Sequence, residues 1–255
     1  MTRHMLGLDA TTLETDQFRR ICDCVHEAVD SMAMSAVTGI AGAGKTHAAM
    51  CAREELTGIR TAWVMCSEQP TRRELAYNIV EELTGDRPSG TEYTLLRTIL
   101  RFLTEHPTVL FIDEAQALSL SCFGLVRRLW DHAASQLAVI LIGGDGAWHA
   151  LASDPMLLSR IYTHVAVRPL GDEAVIRRIP QFHRVWQHTD PELVLDLNEH
   201  CAHGVWRNWA KLTRKATSLC GPDACVDEQT AAQLQSWWAT LRQTEQHAFK
   251  LAAGA

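Results

Sequence analysis

Apolar residues first fall into a helical rhythm at positions 18 to 29, where Phe18, Ile21, Cys22, Val25 and Val29 recur three or four apart. Thr15 or Asp16 stands ready to cap that helix. Beyond residue 35 the pattern changes to short apolar runs that alternate with helical periods. The runs at 36–40, 60–66, 108–112, 137–143 and 162–167 read as strands, and 45–56, 71–84, 91–105, 119–133 and 147–152 read as helices. Strands that are apolar on both faces and alternate with helices predict a parallel sheet covered on both sides. From about residue 170 onward no strand pattern occurs. The segments 172–188, 191–202, 204–219 and 228–251 look helical, with turns at Pro191, Gly204 and Gly221-Pro222. Pro180 should kink or split the first of these. The last carries one stripe of Leu234, Trp237, Trp238, Leu241, Ala248 and Leu251. With Trp206 and Trp209 its tryptophans read as the core of a helical unit, and any exposed part of the stripe is open to a partner. The chain thus divides into a leader at 1–35, an α/β domain at 36–169 and a helical domain at 170–255.

Composition narrows the class. The 255 residues are 47% hydrophobic, enough for a substantial core. No apolar run reaches about 18 residues, so no membrane span is expected. Met1-Thr2-Arg3-His4-Met5 has no apolar stretch like that of a signal peptide, which points to a cytoplasmic protein. The eight cysteines include no Cys-x-x-Cys pair. Cys201-x-His203 and Cys220-x₄-Cys225 fit no standard zinc spacing well, and reduced thiols are the simpler reading. The net charge of −6 lacks the basic surplus of a monomeric nucleic-acid binder. Contact with DNA therefore calls for a local basic patch, multiplied by oligomerisation.

The chemistry concentrates in Gly39-Ile40-Ala41-Gly42-Ala43-Gly44-Lys45-Thr46, two glycines separated by four positions and followed by Lys and Thr. A strand at Ser35–Thr38 precedes the loop and a helix follows it, as a phosphate loop requires. Backbone N–H groups around Gly39, Gly42, Ala43, Gly44 and His47, together with the helix N-terminus, suit phosphate oxygens. Lys45 would reach the β- and γ-phosphates of ATP, and Thr46 would ligate Mg²⁺. The second element is Thr108-Val109-Leu110-Phe111-Ile112-Asp113-Glu114, an apolar strand ending in two carboxylates. Asp113 would hold Mg²⁺ through water, and Glu114 would orient or deprotonate the attacking water. A further strand, Thr61–Met65, intervenes in sequence between the two motifs.

Taken in that order, these motifs resemble the additional-strand, catalytic-glutamate branch of P-loop NTPases and, within it, the AAA+ group. That resemblance implies a parallel-sheet core with a small C-terminal helical lid beginning near Arg168-Pro169-Leu170, and ATP as the nucleotide. It makes Arg207, in Gly204-Val205-Trp206-Arg207-Asn208-Trp209, a γ-phosphate contact, and Arg160, in Leu158-Ser159-Arg160-Ile161, an arginine finger acting on a neighbouring subunit. Each also reads as an ordinary surface arginine. AAA+ proteins usually carry an Asn or similar polar sensor after the fourth strand, whereas here the run is Ile142-Gly143-Gly144-Asp145. Asp145 is the available sensor candidate, and its negative charge near phosphates points to slow hydrolysis.

The stretch Phe111-Ile112-Asp113-Glu114-Ala115-Gln116-Ala117-Leu118-Ser119, followed by Leu125-Val126-Arg127-Arg128-Leu129-Trp130-Asp131, is similar to the MuB/TniB-type transposition ATPases. IstB and helicase loaders are more distant likenesses. The resemblance covers about residues 10–220 and implies an ATP-bound ring or helical filament on duplex DNA that recruits a DDE transposase. Two arginine pairs are candidate phosphate contacts: Arg72 with Arg73 at the start of a helix that Thr71 can cap, and Arg127 with Arg128. Both also read as solvated charge. No base-reading helix-turn-helix or zinc finger is present in the sequence. A signalling or secretion-type ATPase with protein partners, favoured by the acidic balance, and a helicase-loader-like ATPase are the alternatives.

Overall fold

The computed structural model describes residues 8–253, with side chains through residue 244. They form two compact units, one of residues 15–168 and one of residues 8–14 with 169–253.

The first unit is built on five parallel strands: β1 (Met34–Gly39), β2 (Arg60–Met65), β3 (Thr108–Asp113), β4 (Leu137–Gly143) and β5 (Ile161–Val167). Their spatial order is β2-β3-β4-β1-β5. The strand that separates the two motifs in sequence, β2, lies at the sheet edge. The strand that separates them in space is β4, between β1 and β3. All five strands are bounded within two residues of their sequence expectation, and β3 runs one residue further so that it includes Asp113.

Residue alternation along the strands decides which helices cover which face. Leu110 and Ile112 of β3 join one core with Ala62, Val64, Val139 and Leu141. Leu75, Ile79, Leu95, Ile99, Phe123 and Leu129 complete it, from α3 (Arg72–Thr84), α4 (Glu92–Glu105) and α5 (Leu120–Trp130). Val109 and Phe111 face the other way, toward Val37, Ile140, Ile142 and Val165. That face is covered by α1 (Asp16–Asp30) and α2 (Lys45–Glu55). Each fully buried Leu, Ile or Phe here contributes about 1.5–3 kcal/mol.

Thr15 caps α1, its hydroxyl accepting from Phe18 N at 3.1 Å. Ile21, Val25 and Ala28 are buried in the same core as α2. The helix expected in a separate leader is therefore part of the sheet unit, and the N-terminal division falls at Thr15, not at residue 35. Two short helices close the passage from β4 to β5. One is α6 (Ala147–Ala152). The other, α7 (Pro155–Leu158), has no counterpart in the sequence reading; four residues give too short a pattern to register a period.

The second unit holds α8 (Asp172–Phe182), α9 (Pro191–Leu197), α10 (Trp206–Cys220) and α11 (Glu228–Ala253). Pro180 does not split its helix. α8 runs through it and stops two residues later, where a 3-10 turn at Arg184–Trp186 takes over. A five-residue π-helical turn, Asn198–Ala202, extends α9. Trp186 and Trp209 are fully buried and meet edge to face at 5.3 Å. Leu234 and Trp238 are buried in the same core, with Trp206, Trp237 and Leu241 packed against it. Ala248 and Leu251 of the sequence stripe lie outside the described side chains.

Candidate functional site

The loop after β1 is shaped by three glycines in backbone conformations that L side chains rarely adopt: Gly39 at φ 143°, Gly42 at 82° and Gly44 at 92°. At Gly39 a Cβ would also run into the Val167 carbonyl of the neighbouring strand. The loop opens into α2, whose first turn has no side-chain cap, so its N–H groups point toward the loop with the positive end of the helix dipole. Lys45 is buried, and its ammonium folds back to donate to the carbonyls of Gly39 at 2.8 Å and Ile40 at 2.7 Å. Ala43 is buried beneath the loop. His47 packs its ring 6.5 Å from Phe18 of α1.

At the end of β3 the Thr46 hydroxyl donates to Asp113 Oδ2 at 3.0 Å. The motifs, 67 residues apart in sequence, thus meet at one point. Asp113 Oδ1 accepts from the Glu114 N–H at 2.9 Å. Burial pushes the Asp113 carboxyl above the usual carboxylate range. Its two hydrogen bonds and the Lys45 ammonium pull the other way, and the Glu114 charge adds to the rise. A hydroxyl and a carboxylate side by side, with an ammonium and a ring of amides around them, are the donor set of a triphosphate with a hard divalent cation. The residues present fit ATP and Mg²⁺.

Glu114 itself sits at φ 57°, a left-handed conformation that costs a non-glycine residue about 1–2 kcal/mol. Strain of this kind clusters where function fixes a side chain's direction. Its exposed carboxylate accepts from the Gln116 side-chain amide, and the Gln116 oxygen accepts from Gly144 N at 2.8 Å. Sequence reasoning quoted Gln116 inside the Asp-Glu-Ala-Gln run but gave it no role. Its partner at the end of β4 is visible only in three dimensions. Asp145, the sensor candidate, is exposed in the turn between β4 and α6.

The arginines are dispersed. Arg160 stands just ahead of β5 and forms a two-pronged ion pair with Asp131, both contacts at 2.7 Å. Parallel pairing sets Ile161 beside Met34 and Val167 beside Gly39, so the length of β5, about 20 Å, separates Arg160 from its own phosphate loop. Arg72 pairs with Glu92 at 2.8 Å, and Arg73 donates to the Gly90 carbonyl at 3.1 Å. Arg127 pairs with Asp154 at 3.2 Å, and Arg128 is exposed. The α3 pair follows the C-terminal end of β2. The α5 pair lies in the last turn of a helix leading back to the start of β4, at the opposite end of the sheet, so the four do not make one patch. Arg207 lies on the first turn of α10, in the other unit, and is exposed.

The eight cysteines are free, and no cluster of three metal-ligating side chains occurs among the described residues. Burial pushes the thiols of Cys66 up to about 12 and Cys24 up to about 11, so neither is a nucleophile at neutral pH. No helix among the described residues is long and apolar enough to cross a membrane.

Residues 29–151 match a protein-family model described as an AAA domain. No curated protein matches the sequence. Solved structures do match the fold. The ORC2 protein of Aeropyrum pernix, in ADPNP–ADP complexes, aligns with a TM-score of 0.68 at 15% identity over 92% of this chain and 71% of its own. Cdc6p from Pyrobaculum aerophilum aligns with a TM-score of 0.69 at 12% identity, over 88% of this chain and 68% of its own. The A. pernix ORC1 protein, solved in complex with DNA, gives 0.68 at 15% identity over 91% and 68%. Identities this low establish likeness of fold: a five-stranded parallel sheet with the P-loop AAA+ arrangement and helices C-terminal to it.

Proposed function

We propose that this chain is an ATPase that assembles on duplex DNA when ATP-bound and regulates transposition by bringing a DDE transposase to its target. The observation that carries the ATPase reading is the Thr46–Asp113 hydrogen bond at the foot of the glycine loop, beside the strained Glu114.

In this reading the triphosphate of ATP lies along the amides of residues 42–47. Lys45 leaves the Gly39 and Ile40 carbonyls for the β- and γ-phosphates. Thr46 and Asp113 would hold Mg²⁺, which when bound neutralises charge on the phosphate oxygens. Glu114 takes a proton from a water, whose oxygen bonds to the γ-phosphorus as the bond to the β–γ bridging oxygen breaks. Arg160 is too far from its own loop to take part, so it serves a neighbouring subunit and must first part from Asp131. The resemblance to AAA+ proteins assigns Arg207 to the γ-phosphate. Oligomerisation is therefore part of the chemistry.

The DNA reading is supported by Arg72 and Arg73 at the N-terminal turn of α3, where backbone amides add to their charge, and by the DNA-bound solved example of this fold. The second reading, an ATPase with protein partners or a helicase-loader-like role, has its own support. Arg72, Arg73 and Arg127 already have partners within the chain, and the net charge is −6. Electron microscopy with duplex DNA, with and without a slowly hydrolysed ATP analogue, separates the two. Filaments or rings that need both nucleotide and DNA support the first. Replacing Arg72 and Arg73 by Ala should weaken retention on DNA and lower the salt-dependence slope by about two. An ATP-loaded protein that ignores DNA at every salt concentration supports the second. Pull-down of a DDE transposase against a replicative helicase then tests the partner.

A further inference from the structure

We infer that Gln116 is a positioning residue for hydrolysis, tying the Glu114 carboxylate to the end of β4, and that this inference rests on the ATPase reading of the same site.

The argument begins with donors and acceptors. Gly144 N can only donate, so the Gln116 side-chain oxygen must face it, as the 2.8 Å contact records. That fixes the orientation of the amide and leaves its NH₂ group for Glu114, whose carboxylate can only accept. One side chain therefore joins the exits of two adjacent strands through a directed pair of bonds. The 3-10 turn Ala115–Ala117 directly after Glu114 makes the reach short.

Gly143 at the end of β4 leaves room both for Ala147 and for this amide. A Cβ on Gly143 would stand 2.3 Å from the Ala147 Cβ and 2.9 Å from the Gln116 oxygen, whereas one on Gly144 would stand 3.4 Å from the Gln116 nitrogen, an ordinary van der Waals contact. Neither glycine has a positive φ, so turn geometry does not call for them. β4 ends with no side chain of its own to offer a polar group, and Gln116 brings one in from β3. It holds one carboxylate oxygen of Glu114 and leaves the other for water. Any shift of the β4 end is passed to Glu114 through the same bond.

The test compares wild type, Gln116→Ala and Gln116→Glu for binding of a fluorescent ATP derivative, melting temperature, and kcat as a function of pH. Gln116→Ala should keep nucleotide affinity within about twofold and lose at least about tenfold in kcat, because the base is no longer held in place. Gln116→Glu cannot donate to Glu114 and sets two carboxylates side by side. The acid limb of its kcat profile should move up by about one pH unit, since neighbouring carboxylates resist ionising together. Full kcat in Gln116→Ala overturns the inference. So does a loss of affinity and melting temperature in step with kcat, which marks a purely structural clamp. A wild type that binds ATP without turning it over overturns the inference and leaves the nucleotide site standing. A wild type that binds no ATP overturns both.

Discussion

Asp113 does two opposed things. Buried at the end of an apolar strand, it is held above the usual carboxylate range chiefly by desolvation. A carboxyl whose folded value is raised keeps its proton in the native state to higher pH than in the unfolded state. Its effect on stability is thus a loss, which grows as pH rises from the ordinary carboxylate value to the raised one and is complete above it. Asp113→Asn removes that charge. The Thr46 hydroxyl can reverse its role and accept from the new amide. The melting temperature of the variant at pH 7 should equal or exceed that of wild type, with the advantage fading at acid pH, while hydrolysis is abolished; paired melting and phosphate-release assays check both. A lower melting temperature at pH 7 would show that the carboxylate is structurally favourable. At this scale the sequence was most informative, because phosphate-loop chemistry is written in neighbouring residues. That Thr46 and Asp113 meet was legible from the order and spacing of the two motifs. Gln116 was not, since its meaning depends on Gly144, 28 residues away.

Among the elements, strands were easier to read than boundaries between units. Continuous apolar runs identify strands buried on both faces, as β1, β3 and β4 are, while the edge strands β2 and β5 are partly exposed and carry Thr, Arg, Tyr and His among their apolar residues. The amphipathic pattern of α1 was equally clear, but a period says only that one face is buried, not against what. Packing with α2 beneath the sheet assigns it. If α1 is integral to that unit, its cap matters to the whole unit. Thr15→Ala should cost about 1 kcal/mol and lower the melting temperature by about 2–4 °C in a thermal scan. A helix outside the cooperative unit would leave the transition unmoved. The arginine pairs show the converse limit. Charge runs are visible in sequence, whereas the carboxylates that occupy Arg72 and Arg127 come from Glu92 and Asp154, on other elements.

For the whole molecule, the decisive geometry is the length of β5. It sets Arg160 at one end of the sheet and the phosphate loop at the other, so a finger role demands a second subunit. Arg160→Ala should lower kcat by about 10³-fold with nucleotide binding intact. Lys45→Ala should lose binding at its own loop yet still present a finger. Mixing the two inactive variants should restore measurable hydrolysis, because each supplies what the other lacks; a mixture as inactive as its parts would place Arg160 outside the reaction. All of this depends on a triphosphate seated at Gly44–Thr46, so the most direct measurement is a titration of a fluorescent ATP derivative with Mg²⁺ against the folded wild type and Lys45→Ala. The account predicts saturable uptake by wild type, weakened at least about tenfold, or about 1.4 kcal/mol, in the variant. A well-folded wild type that takes up no nucleotide even at millimolar concentration would contradict it.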